Sequence, residues 1–333
     1  MKLKRVITPE YKSVFDPENG NFMRFGETEN DDPSYSPIGP ELADIEISTI
    51  CSVGCKHCYK SNTTKGENMS ISRFKRILEN LPKSVNQIAF GIGDIDANPD
   101  MLDIFWHCRD KGVVPNVTIS GYRMGWDWAG ELAEVCGAVA VSNYNRDVCY
   151  NAVNMLTQSG CNQVNIHQLA AEETYYDTIR LLQDVIDQEK RLEKLNAVVF
   201  LSLKKKGRGI LYNRLSDWDM EKIVSMCVNN CIPFGFDSCS YHRFVPIAER
   251  LGIMEYTLQY AEPCESCLFS IYINVKGDVY PCSFCEEERL LLGNAVEKPL
   301  YLDFLNDIWY CTRAREFRSI LVEGDRRCPT YEI

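Results

Sequence analysis

The chain has no apolar run long enough to cross a membrane, and its basic start, MKLKRVITPEYK, is not followed by the apolar core of a signal peptide. Both absences point to a soluble, cytoplasmic protein with no membrane partner. Positive charge is also scarce. A formal net charge of -11 excludes the broadly basic surface that neutralises nucleic-acid phosphates. The one dense basic run, Lys204-Lys205-Lys206-Gly207-Arg208, reads equally as a solvated loop or as a local ligand-binding patch. What the chain does have is 333 residues, 45% of them hydrophobic, and 16 cysteines. That length can bury a full core in one large domain and a small one. In a reducing compartment so many thiols suggest metal or redox chemistry before disulfides.

Three of them stand together in Cys51-Ser-Val-Gly-Cys55-Lys-His-Cys58, a CxxxCxxC spacing placed where a strand pattern ends. Iron-sulfur clusters are usually held by four cysteines, so a four-iron cube tied down by three keeps one iron open for another ligand. Zinc on the three cysteines and His57 is the competing reading, but His57 adjoins Cys58 and would need an awkward local fold.

Residues 1–42 read as an extension with a hairpin over residues 13–26, turned by Asp16-Pro-Glu-Asn-Gly20. From Ala43 to about residue 245, short apolar strands alternate with amphipathic helices. Strands are expected over residues 43–49, 87–90, 116–120, 138–142, 163–168 and 197–203, with 233–236 as a seventh. Helices are expected between them, including one capped by Ser70 or Ser72 and one opened by Asn98-Pro99. Repeated alternation implies parallel strands with right-handed crossovers, here a partial (β/α)6 TIM-type barrel with its site at the carboxyl ends of the strands. Cys51 follows the first strand on that face. Cys108 and Cys227 fall on apolar helix faces and read as core.

Residues 246–333 read as a small second domain with a second cysteine group, Cys264-Glu-Ser-Cys267 and Cys282-Ser-Phe-Cys285. A strand, a Lys276-Gly277-Asp278 turn and a returning strand between the pairs would carry both to one end. From spacing alone, zinc and iron-sulfur fit this group equally.

Taken together these residues resemble the radical S-adenosylmethionine (SAM) superfamily, and the C-terminal part resembles its SPASM and twitch subgroup. The resemblance rests on CxxxCxxC, on Gly91-Ile-Gly93-Asp94 where the family usually has Gly-Gly-Glu, on Ser120-Gly121, and on Cys267, Gly277 and Cys282 at the subgroup's spacing. It implies a [4Fe-4S] cluster on Cys51, Cys55 and Cys58 with SAM on the open iron. Gly91, Gly93, Asp94, Ser120, Ser142 and His57 would then line the SAM site. It also implies one auxiliary cluster, taken as [4Fe-4S], on Cys264, Cys267, Cys282 and Cys285, with Cys328 as the alternative fourth ligand. A three-cysteine auxiliary cluster open to substrate is a further alternative.

The chemistry implied is reductive cleavage of SAM to a 5′-deoxyadenosyl radical that takes a hydrogen atom from the substrate. Cys239, near the end of the last barrel strand, is a candidate for returning one. The resemblance favours a peptide or protein substrate, with a separate recognition protein and an electron donor such as flavodoxin or ferredoxin. A small-molecule dehydrogenase and a zinc-stapled binding protein without catalysis are the alternatives.

Overall fold

The computed structural model describes residues 3–28, 32–257, 261–296 and 303–333. Strands β1 (Lys4–Ile7), β2 (Lys12–Phe15) and β3 (Phe22–Phe25) form an antiparallel meander, so a third strand joins the expected hairpin. Its inner face is closed by Phe15, buried with Tyr11.

Seven parallel strands follow, each beside its predecessor: β4 (Leu42–Glu46), β5 (Gln87–Gly91), β6 (Val114–Ile119), β7 (Val139–Ser142), β8 (Val164–Ala170), β9 (Ala197–Ser202) and β10 (Phe234–Phe236). The helices are α1 (Ile71–Asn80), α2 (Met101–Asp110), α3 (Trp126–Val135), α4 (Arg146–Gln158), α5 (Tyr175–Ile186), α6 (Asp217–Asn229), α7 (Tyr241–Arg250) and α8 (Met254–Thr257). Ser70 caps α1 by accepting from the Arg73 N–H, and Ser216 caps α6 by accepting from Asp219. The expected cap of α2 needs correction. That helix starts at Met101 with Asp100 in the cap position. Asn98 lies two residues before that cap: its Oδ1 accepts from the Asp100 N–H at 2.9 Å, and its amide group donates to the carbonyls of Ile47 and Met69, at 2.8 and 2.9 Å.

Period-two alternation gives the parallel sheet two different faces. Ala43, Ile45, Ile88, Phe90, Val117, Ile119, Val139, Val141, Val164, Ile166, Val198 and Phe200 are at most 3% exposed. They share one core with helix residues such as Phe74, Ile104, Leu132, Val153, Leu182 and Ile223. The opposite face is polar or small. Its register rows run Asp44, Ala89, Asn116, then Glu46, Gly91, Thr118, Ala140, Asn165, Ala197, then Ser142, His167, Val199, Gly235. A filled barrel has bulky branched side chains at such positions. Alanine and glycine leave room inside.

The C-terminal part extends the same sheet. Strand β11 (Ser270–Ile273) lies parallel to β4, pairing Tyr272 with Asp44. Then β12 (Asp278–Tyr280) and β13 (Gly293–Asn294) add antiparallel, giving ten strands, and α9 (Thr312–Glu323) closes the chain. Because β11 runs with β4, Cys264 and Cys267 precede it at the amino-terminal end of the parallel strands, and β12 returns Cys282 to that end. Cys51, Cys55 and Cys58 leave β4 at the other end. Among the described residues no helix is long and apolar enough to cross a membrane.

Candidate metal centre

After β4 the chain leaves the sheet and Cys51, Cys55 and Cys58 come together, each half-buried. Burial raises the Cys51 thiol, and burial with the neighbouring Cys51 and Cys58 pushes Cys55 up to about 11. Cys51 and Cys55 therefore resist ionising by themselves, and a bound cationic metal group reverses that preference. His57 does not complete the zinc set. Its ring packs between Tyr144 and Tyr212, with centroids 5.1 and 5.4 Å away. Among the described residues no three His, Cys, Asp or Glu side chains converge to hold a single metal ion. Cys51, Cys55 and Cys58 are the three thiols that a four-iron cluster with one open iron needs.

The loop is held against its neighbours by specific contacts. Gly93 lies directly against it, since a Cβ there would sit 1.8 Å from the Ile50 carbonyl oxygen. Next to it, Asp94 Oδ2 accepts from the Ser52 N–H at 2.9 Å and lies 3.6 Å from Arg123. Arg123 also donates to Ser52 Oγ and Asp96, at 2.9 and 2.8 Å. From the far side, Arg208 donates through its side chain to the Cys55 carbonyl at 2.7 Å and through its backbone to Cys58 at 3.0 Å. Gly207, at φ 54°, fits under Tyr59, whose carbonyl oxygen would lie 2.3 Å from an added Cβ. The basic run after β9 is therefore a clasp on the cysteine loop, which the solvated-loop reading misses. Lys204 is buried and ion-paired with Asp237, and Lys206 donates to the Phe284 carbonyl at 3.0 Å.

Other residues singled out in the sequence fall around the concave face. Gly91 ends β5 in register with Glu46, Ser120 follows β6, and Ser142 ends β7 with its hydroxyl hydrogen-bonded to Tyr144. Cys239 lies in the turn after β10, hydrogen-bonded to Lys204 and within electrostatic range of Cys264 and Cys282. It thus follows the carboxyl end of β10 and neighbours the second cysteine group. Burial raises its thiol, so it stays protonated.

Sequence reasoning missed Asp44, Glu46, Tyr59, Lys60, His167 and Tyr272. Burial pushes Asp44, hydrogen-bonded to Ser283, up to about 6 and lowers His167 to about 4. Polar residues alternating with apolar ones in β4 and β8 were the available signal.

In the second group, Cys282 donates to Cys285 Sγ at 3.4 Å, and this contact together with burial raises the Cys282 thiol. Cys328 accepts from the Tyr331 N–H at 3.3 Å and is an electrostatic neighbour of Cys285 and Cys264. Cys267 is fully buried, with Sγ 4.0 Å from the Ala314 carbonyl, and must turn to join the others. Cys311 stands at the cap position of α9.

A family model described as the radical SAM superfamily matches residues 45–227, and one described as an iron-sulfur cluster-binding domain, SPASM, matches residues 262–330. Among solved structures the chain is similar to Streptococcus suis SuiB bound to precursor peptide SuiA, at 14% identity and TM-score 0.70, covering 95% of this chain and 91% of that one. It is also similar to anSMEcpe with bound AdoMet and Cp18Cys peptide, at 16% identity and TM-score 0.61, covering 87% of each chain. At such identities the likeness is one of fold. No curated protein sequence matches the chain.

Proposed function

This chain belongs to the radical SAM superfamily and carries a SPASM iron-sulfur cluster-binding domain, and on that footing we propose that it modifies a peptide or protein held inside the partial barrel. It is an enzyme, which sets aside the zinc-stapled binding protein. A [4Fe-4S] cluster on Cys51, Cys55 and Cys58, with SAM on its open iron, supplies a 5′-deoxyadenosyl radical for hydrogen abstraction. The protein's share is to hold, orient and exclude water.

Arg208, Gly93 and Asp94 fix the cysteine loop. Asp94 Oδ2 is engaged by Ser52, which leaves Oδ1 for the amino group of SAM. Gly91 and Gly93 let SAM approach the backbone, Ser120 and Ser142 offer hydroxyls, and His57, held between two tyrosines, walls the adenine side. For the auxiliary cluster, taken as one [4Fe-4S], the ligands are Cys264, Cys267, Cys282 and a fourth thiolate from Cys285 or Cys328, which are neighbours. The electron that such a cluster would need would come from a donor of the flavodoxin or ferredoxin type.

The observation that carries the peptide reading is the concave face. Small residues at Ala89, Gly91, Ala140, Ala197 and Gly235 stand among the polar ones on that face, and the second cysteine loop reaches its edge, where Ser283 meets Asp44 and Phe284 packs on Tyr59. The folds of SuiB and anSMEcpe, whose structures hold peptides, support the same reading. Cys239 supplies the returning hydrogen atom, a role that needs the protonated thiol its burial preserves, and the thiyl radical left on it would be restored by one electron from the flavodoxin- or ferredoxin-type donor and one proton.

The test is co-expression with short peptides encoded beside the gene. The expected result is a mass change, or deuterium uptake in D2O for an epimerisation, that Cys55→Ala abolishes. Loss of the deuterium alone in Cys239→Ala would identify the donor. An unaltered peptide in every case would move the assignment to the small-molecule dehydrogenase.

A further inference from the structure

Resting on the two-cluster reading above, we propose that Lys60 and Glu286 form a charged latch between the two cluster loops and set the reduction potentials of the groups those loops hold. Lys60 comes two residues after Cys58, and Glu286 one residue after Cys285. Far apart in sequence, they meet directly as an ion pair. The Lys60 ammonium also donates to Tyr272 Oη at 2.7 Å and lies 3.2 Å from Glu46 Oε1. Tyr272 in turn donates to Glu46 Oε2 at 3.1 Å. The side chains of Lys60 and Glu46 are 10% and 6% exposed, and that of Glu286 is 22% exposed.

Beside this charge cluster runs an apolar tie. The Tyr59 ring packs on Phe284, centroids 4.4 Å apart. The Phe284 carbonyl accepts from Lys206 at 3.0 Å and from Tyr331 Oη at 2.9 Å. Phe284 lies between Cys282 and Cys285, so the auxiliary loop is gripped by the first cysteine loop, by the clasp after β9 and by the C-terminal segment.

Lys60 here faces Glu46, Glu286 and Asp44 in a poorly hydrated site, with Lys206 as a second cation near Glu286, and charges act strongly on one another there. Cluster potentials respond to net charge and hydrogen bonding nearby. Removing Lys60 takes one positive charge from beside Glu46 and Glu286 and disfavours an added electron. Removing the Glu286 charge does the reverse. A latch that merely held the loops together would respond alike to either loss, because both break the same contact.

The experiment uses the anaerobically purified holoprotein. Iron content and the brown chromophore are measured first, since a colourless wild type would defeat the two-cluster reading itself. Each cluster is then titrated by EPR-monitored redox potentiometry. Lys60→Met is expected to lower the midpoint potentials, the isosteric Glu286→Gln to raise the auxiliary one, and Lys60→Arg to stay near wild type. If Lys60→Met loses iron, Glu286→Gln carries the test alone. An auxiliary potential that is unchanged or lowered in Glu286→Gln overturns the latch as a tuning device, as does a shift of the same sign in both charge-removing variants.

Discussion

Gly93 and Asp44 are single positions with measurable consequences. A methyl group at Gly93 would enter the Ile50 carbonyl, which is backbone and cannot swing aside, so Gly93→Ala is expected to cost about 1–3 kcal/mol. The strain falls on the cysteine loop, and iron content should drop along with the thermal midpoint. Asp44 tests the concave face through pH. Its carboxyl is raised to about 6 by burial, above the unfolded value of about 4, so the fold favours the protonated form. That contribution is present at low pH and is lost as pH rises through the folded value. Asp44→Asn removes the dependence. Urea unfolding should show the variant gaining about 1.5 kcal/mol on wild type between pH 5 and pH 8. A constant difference across that range would place Asp44 in open water.

At the scale of elements, the segment after β9 decides how firmly the first cysteine loop is held. Arg208→Met removes a charge-assisted bond to the Cys55 carbonyl, worth roughly 1.5–3 kcal/mol. Iron release to a chelator, followed by loss of visible absorbance, should quicken about tenfold. Most strands and helices were legible because period-two and 3.6-residue patterns are local. The clasp was not, since five residues dense in charge look like a solvated loop until the chain brings them onto Cys55 and Cys58. Asn98 turns the chain just before α2, with its Oδ1 accepting from the Asp100 N–H, but the helix opens at Met101 rather than at Pro99.

For the whole molecule, the cysteine spacings carried the family and the sheet pairing carried what they left open. No local pattern announces that β11 pairs with β4, because Tyr272 meets Asp44 only across a long loop closure. That pairing makes the C-terminal strands part of the barrel's sheet. A fragment ending at residue 245 would expose the β4 edge and strip Glu46 of Tyr272. It should therefore be recovered aggregated while the full chain is soluble; a soluble fragment with native-like circular dichroism would show that residues 246–333 are dispensable for folding.

The same pairing brings the second cysteine loop against the first, with Phe284 on Tyr59 and Glu286 on Lys60, at the edge of the concave face proposed to hold the substrate. The most direct test is to incubate the anaerobically purified protein with SAM and a strong reductant and to quantify 5′-deoxyadenosine. Wild type holding about eight irons should produce it and Cys55→Ala should not. An iron-replete wild type that yields none, or a Cys55→Ala variant that yields as much, would contradict the account.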